Sequence, residues 1–153
     1  ASHSYFTAPL YAGNAESRET IMKLAVFRDH LEKVRSVEAM AVAAGDLSDR
    51  SILVRDGLPP GVTEEELRRR GGVGDLLGNV IGEDGTRIDH PINEQVVGLS
   101  FEDLHQIGDV ILAAGGHHKV PALAGLLSTG MVNSFVTDED TARAVLDRVA
   151  AGG

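Results

Sequence analysis

The sequence predicts an α/β domain built on a parallel or mixed sheet covered by helices. Three observations predict it. Short apolar runs at 39–44, 109–114 and 131–137 have the length of strands. Amphipathic stretches at 16–37, 117–128 and 138–150 alternate with them at helical period. The last third reads β–α–β–α without interruption, which calls for a right-handed crossover between parallel strands.

Each element has its own local signal. The first residues, 2–12, are aromatic and β-leaning and contain Pro9, which predicts a strand end running into a loop; Gly13 and Asn14 then punctuate. Over 16–37, Ile21, Leu24, Phe27 and Leu31 share a helical face, with a break expected near Leu24. The run AMAVAA at 39–44 is continuously apolar, which predicts a strand buried on both faces. A loop-rich stretch follows to Pro60. Thr63 with Glu66 predicts a capping box and a helix to Arg70, ended by Gly71 and Gly72. Residues 73–81 and 86–88 predict a hairpin around Glu83, Asp84 and Gly85. A short strand is expected at 95–99, then a short helix capped by Ser100 with Asp103 at its third position. Asp138 caps the last helix and places acids in its first turn, where they complement the helix dipole.

Composition narrows the function classes. The chain has 153 residues, enough for one domain with its own core, and 42% of them are hydrophobic. It has no cysteine, which removes disulfides, thiolate metal sites and a cysteine nucleophile, and fits a cytoplasmic location. The formal charge of −9 repels phosphate backbones, so the bulk of this chain does not bind nucleic acid. No apolar run approaches the ~20 residues that span a bilayer, and the first residues lack the basic and apolar regions of a signal peptide. The six histidines are scattered, and no metal site or cofactor is expected. Neither GxGxxG nor GK[ST] occurs, and neither GxSxG nor HExxH.

The segment AAGGHHK, from Ala113 to Lys119, carries the best candidate site. Gly115 and Gly116 let the backbone turn sharply and let a ligand approach. The start of a helix offers unpaired N–H groups and partial positive charge. Lys119 in that first turn opposes the dipole, a placement that an anion would compensate. His117 and His118 are adjacent and point apart; either could donate a hydrogen bond to a ligand oxygen, and either could be a plain surface side chain. Asp75, among glycines, could accept hydrogen bonds from sugar hydroxyls or serve as a turn acid. Arg55 suits bidentate phosphate capture or a surface ion pair. Arg68, Arg69 and Arg70 follow Glu64, Glu65 and Glu66, so they predict ion pairs along a helix rather than a nucleic-acid patch.

Six blocks in order, YFTAPLYAGNAESRETIMKL, AAGDLSDRSILVRDGL, RGGVGDLLGNVIGEDGTRID, VVGLSFEDL, VILAAGGHHKVPALAGLL and NSFVTDEDTARAVL, resemble the sugar-binding effector domain of the SorC/DeoR-type transcriptional regulators. The resemblance covers nearly the whole chain. It implies a three-layer α/β/α, Rossmann-like domain with a mostly parallel sheet, akin to sugar-phosphate isomerase and deaminase folds but used for sensing. It implies a phosphorylated sugar as effector, homo-oligomerisation, and DNA contact through an N-terminal helix-turn-helix that these 153 residues do not include. The family's phosphate-handling turn matches Gly115, Gly116 and Lys119; its sugar-contacting acid matches Asp75; a family arginine falls near Arg55. The chain resembles about the second half of that effector domain, so its site would be partial and its sheet edge would take a second chain. Two other readings stand beside the sensor: an isomerase- or deaminase-like enzyme with Asp75 as base, and an oligomerisation scaffold.

Overall fold

The computed structural model describes residue 3 and residues 5–151. The first helices are α1 (Ala15–Lys23) and α2 (Ala25–Arg35). Asn14 caps α1 by accepting from the Ser17 N–H at 2.7 Å. Leu24, extended at ψ 133°, separates the two helices where the sequence predicts the break. Then come β1 (Ala39–Val42) and β2 (Ala44–Asp46), a turn of wide helix over Leu53–Gly57, and α3 (Glu64–Arg69). Next are β3 (Gly74–Leu76), β4 (Asn79–Ile81), a 3-10 turn at Pro91–Glu94, and α4 (Phe101–Gln106). The chain closes with β5 (Asp109–Ala113), a 3-10 turn at His117–Lys119, α5 (Val120–Ser128), β6 (Ser134–Val136) and α6 (Glu139–Ala151).

The strands form two sheets. One is parallel, in the order β1-β5-β6; the other is antiparallel, in the order β2-β3-β4. The main core lies on one face of the parallel sheet, where Val42, Val110 and Leu112 meet Leu123 and Leu126 of α5, Leu104 of α4 and Val145 of α6. A second core gathers Leu47, Leu67, Val80, Ile88 and Ile92 beneath α3.

Four expectations need correction. The run at 39–44 is not one strand buried on both faces: Ala39 and Ala41 are exposed, and Ala43 separates β1 from β2 in the other sheet. The cause is position. Among the described residues β1 pairs only with β5, and only alternate residues face the core; on the other face of the sheet Ala113 and Val136 are exposed. The segment 73–81 is itself a hairpin, reversed at Leu77 (φ 52°) and Gly78 (φ 79°), the doubly positive turn that tight hairpins favour. The expected turn at 83–85 also forms, but it supports just one bridge, Ile81 to Arg87. There Asp84 accepts from the Thr86 N–H and hydroxyl, and Gly85 (φ 74°) sits so close to α5 that a Cβ would lie 2.4 Å from the Gly125 carbonyl oxygen. The expected strand at 95–99 and the strand end at 2–12 reduce to one bridge between them, Tyr11 to Val96; residues 2 and 4 of the latter lie outside the described residues. The capping box of α3 is half made. Thr63 accepts from the Glu66 N–H, but the Glu66 carboxylate turns instead to buried His90, 3.2 Å from Nε2. The box at Ser100 and Asp103 forms in full, and Asp103 also takes Arg35 of α2 at 2.8 Å.

Small residues set the antiparallel sheet against α5. Gly74 pairs with Asp46, and a Cβ on Gly74 would lie 2.4 Å from the Gly45 carbonyl oxygen and 2.6 Å from the Ala122 Cβ. This close approach brings the end of β2 beside the turn that follows β5.

Candidate functional site

The turn after β5 is fixed to the start of α6. The Gly116 N–H donates to the Thr141 hydroxyl at 2.7 Å, and that hydroxyl donates to Asp138 Oδ2 at 2.7 Å. The Thr141 N–H donates to the other Asp138 oxygen at 2.8 Å, and Thr141 is 1% exposed. These Thr141 hydrogen bonds hold the Asp138 carboxyl below the usual carboxylate range. Both glycines are required. A Cβ on Gly115 would lie 2.4 Å from Asp138 Oδ2, and Gly116 has φ 109°. The Gly116 N–H is therefore used within the fold. The N–H groups of Gly115, His117 and His118 make no hydrogen bond to another described residue, so they are the donors the turn leaves open.

Around this turn stand two acids from the antiparallel sheet. Asp75, in the middle of β3, faces Gly45 across the ladder and lays its carboxylate over it; a Cβ on Gly45 would fall within 2.1 Å of Asp75 Oδ1. The Gly78 N–H donates to Asp75 Oδ2 at 3.2 Å. Burial pushes the Asp75 carboxyl above its ordinary range and the charge of Asp46 adds to this, while the Gly78 N–H and the Lys119 ammonium pull the other way. Tyr11 closes the same corner. Its hydroxyl donates to the Gly78 carbonyl at 2.6 Å, and burial, with the Asp75 charge behind it, raises its pKa.

Asp46 ends β2 and points to the opposite face of the ladder from Asp75, since their partners are Gly74 and Gly45. It is 6% exposed. Burial disfavours its charge, but the hydrogen bonds from Ser48, aided by the nearby His118, outweigh burial and keep the carboxyl below its usual range. His118 Nε2 lies 3.9 Å from Asp46 Oδ1.

Gly115, Gly116, His118 and Lys119 thus share one turn, with His118 against Gly116 and near Asp46, and Asp75 lies within electrostatic reach of Lys119. His117 is exposed on the turn. Arg55 is not brought to it by any hydrogen bond or ion pair among the described residues; it lies exposed on the wide helical turn and pairs with its neighbour Asp56 at 3.5 Å. Sequence reasoning missed Gly45, Asp46 and Thr141. Gly45 and Asp46 carried a signal, since they directly follow an apolar run, where open α/β sheets place ligand loops. Thr141 carried none beyond its place in the first turn of a helix. Chemically, the arrangement offers the Lys119 cation, three open N–H donors and a half-buried carboxylate, which suits an anionic ligand that also bears hydroxyls. Among the described residues no group of three or more His, Asp or Glu side chains is placed to hold a metal ion, and no helix is long and apolar enough to cross a membrane.

Comparison with known proteins gives the following. A family model for a sugar-binding domain matches residues 1–147. The transcriptional regulator LsrR of Enterobacter sp. (strain 638) is 31% identical over 148 residues, which cover 95% of this chain and 46% of LsrR. The erythritol catabolism regulatory protein EryD of Brucella abortus (strain 2308) is 27% identical over 138 residues, 90% of this chain and 43% of EryD. The chain therefore spans about half the length of the curated relatives it matches. Among solved structures, a DeoR family transcriptional regulator from Listeria monocytogenes superimposes with a TM-score of 0.82 at 27% identity, over 93% of this chain and 57% of that one. The full-length sorbitol operon regulator SorC from Klebsiella pneumoniae shares the fold, with a TM-score of 0.79 at 22% identity over 95% of this chain and 47% of SorC.

Proposed function

We propose that this chain, which belongs to the sugar-binding domain family of the SorC/DeoR-type transcriptional regulators, is an effector-sensing domain whose ligand is a phosphorylated sugar bound at the turn after β5. One observation carries the reading. Lys119 shares its turn with the open N–H groups of Gly115, His117 and His118, and its charge reaches the half-buried Asp75 carboxylate, which supports a ligand that carries both an anion and a polyol edge. The phosphate sits on the turn, Lys119 supplies charge, and Asp75 accepts from sugar hydroxyls. The relatives are transcriptional regulators, and a sensor needs binding without turnover. DNA contact belongs to a separate helix-turn-helix, in a cytoplasmic homo-oligomer, and the effector acts by favouring one arrangement of subunits over another.

Calorimetric titration with ribose 5-phosphate, glucose 6-phosphate and the plain sugars tests this. A charged hydrogen bond contributes roughly 1.5–3 kcal/mol, so Lys119→Ala should weaken the phosphosugar by about ten- to a hundredfold and leave the plain sugar nearly unchanged. Equal weakening of both would remove Lys119 from the phosphate, and turnover of the sugar phosphate would favour the isomerase- or deaminase-like alternative.

A further inference from the structure

We propose that Asp46 is a positioning residue of this site: it orients the His118 ring, which then meets the ligand. The assignment rests on the phosphosugar reading, and its own evidence is geometric. Asp46 is the last residue of β2, is 6% exposed, and stands at the close contact between the antiparallel sheet and α5. Its two oxygens have different surroundings. Oδ2 accepts from the Ser48 N–H at 2.9 Å and so closes the turn that leaves the strand. Oδ1 faces the His118 Nε2, 3.9 Å away.

The ring is held from a second side. Gly116 has no side chain, and the place a Cβ would fill is taken by His118: Cε1 would lie 2.5 Å from that Cβ and Nδ1 3.0 Å. The imidazole therefore lies between a bare glycine on the loop after β5 and a buried carboxylate at the end of β2. The glycine and the carboxylate, from two loops, thus flank a side chain that is otherwise 42% exposed. Surface histidines have no such need, and an exposed ring with a preferred seat beside the open N–H groups of residues 117 and 118 is prepared to meet something.

The seat also decides the ring's chemistry. A carboxylate facing Nε2 favours the tautomer with its proton on Nε2. Nδ1, on the far side of Cε1, is left as an acceptor for a ligand hydroxyl. With a second proton it becomes a donor to a phosphate oxygen. Asp46 thus acts on the ligand through His118, without touching it.

A purely structural role for Asp46, holding the turn at Ser48, makes a different prediction, and a double-mutant cycle separates the two. Asp46→Asn keeps an oxygen for the Ser48 N–H and removes the charge. Titrated with ribose 5-phosphate and with inorganic phosphate, Asp46→Asn and His118→Ala should each weaken binding about tenfold, and the double variant should be within about twofold of His118→Ala alone. If Asp46→Asn weakens binding by the same factor in both backgrounds, or in neither, the positioning role is overturned. A ligand-free measurement stands beside it. Long-range proton–nitrogen spectra of the unligated protein should show His118 protonated on Nε2, with that preference lost in Asp46→Asn; protonation on Nδ1 in the wild type would also overturn the proposal. If the wild type binds neither probe, the phosphosugar reading fails, and the tautomer alone decides whether Asp46 seats the ring.

Discussion

Replacing Gly74 with alanine puts a methyl group in place of a hydrogen at a close contact between the antiparallel sheet and α5. The position is a regular strand residue, so the backbone conformation suits alanine and the effect is purely steric. The new Cβ would lie 2.4 Å from the Gly45 carbonyl oxygen, 2.6 Å from the Ala122 Cβ and 3.5 Å from the Gly45 carbonyl carbon. The first and last neighbours are backbone and the second is a methyl group on a buried helix, so none can rotate away. Overpacking of this kind costs about 1–3 kcal/mol, while removing a strand glycine returns roughly 0.5–1 kcal/mol. A net loss of about 1–2 kcal/mol is expected, which in a chain of this length lowers the thermal midpoint by about 2–8 °C. Ala122→Gly in the same chain removes the methyl contact but leaves the Gly45 oxygen, so it should rescue only part of the loss. Differential scanning calorimetry on the wild type and the two variants reads this directly. A midpoint for Gly74→Ala at or above that of the wild type, or full rescue by Ala122→Gly, would refute the view that strand β2 itself is what the Cβ meets.

Two further outcomes follow from the site. Asp75 holds its proton more tightly in the folded chain than in the unfolded one, because burial raises its carboxyl. Its contribution to stability is therefore present in acid and is lost as the pH rises through its folded value. Asp75→Asn should then be more stable than the wild type at neutral pH, with the gap closing as the pH falls through the carboxylate range; urea titrations at several pH values check it, and a gap that widens in acid would reverse the sign. Thr141→Val leaves the Gly116 N–H and Asp138 without their shared hydroxyl. A buried donor left unpaired costs about 1–3 kcal/mol, and faster amide exchange at Gly116 should accompany that loss.

What could be read in advance was local. The break at Leu24, the full capping box at Ser100 and Asp103, and the β–α–β–α order of the last third all follow from neighbours in sequence, and all are present. The ion pair between Glu64 and Arg68, at 2.6 Å, likewise follows from helical spacing. What failed was sheet membership. AMAVAA looks the same whether it is one central strand or the tail of one sheet and the head of another, since alanine carries no facial preference. LLG within 73–81 hid a reversal because leucine at φ 52° is a conformation that costs free energy and leaves no mark in the sequence. The turn glycines and Lys119 were legible as a motif, and Asp75 as an acid among glycines. Asp46 was passed over because its partner, His118, is brought beside it by the meeting of two different sheets, a proximity that no sequence spacing encodes.

Ala43 alone separates the parallel sheet from the antiparallel one. One residue spans at most about 3.6 Å of chain, which leaves no slack between β1 and β2. A pull on the end of β2 is therefore transmitted to β1 at nearly its full amplitude, as through a rod with a single pivot. The rod's two ends differ in kind: one carries the buried Asp46, and the other is the sheet edge where Ala39 and Ala41 face outward. A movement of less than an ångström at the end of β2 would reach the outer surface of the domain as a shift of its border strand.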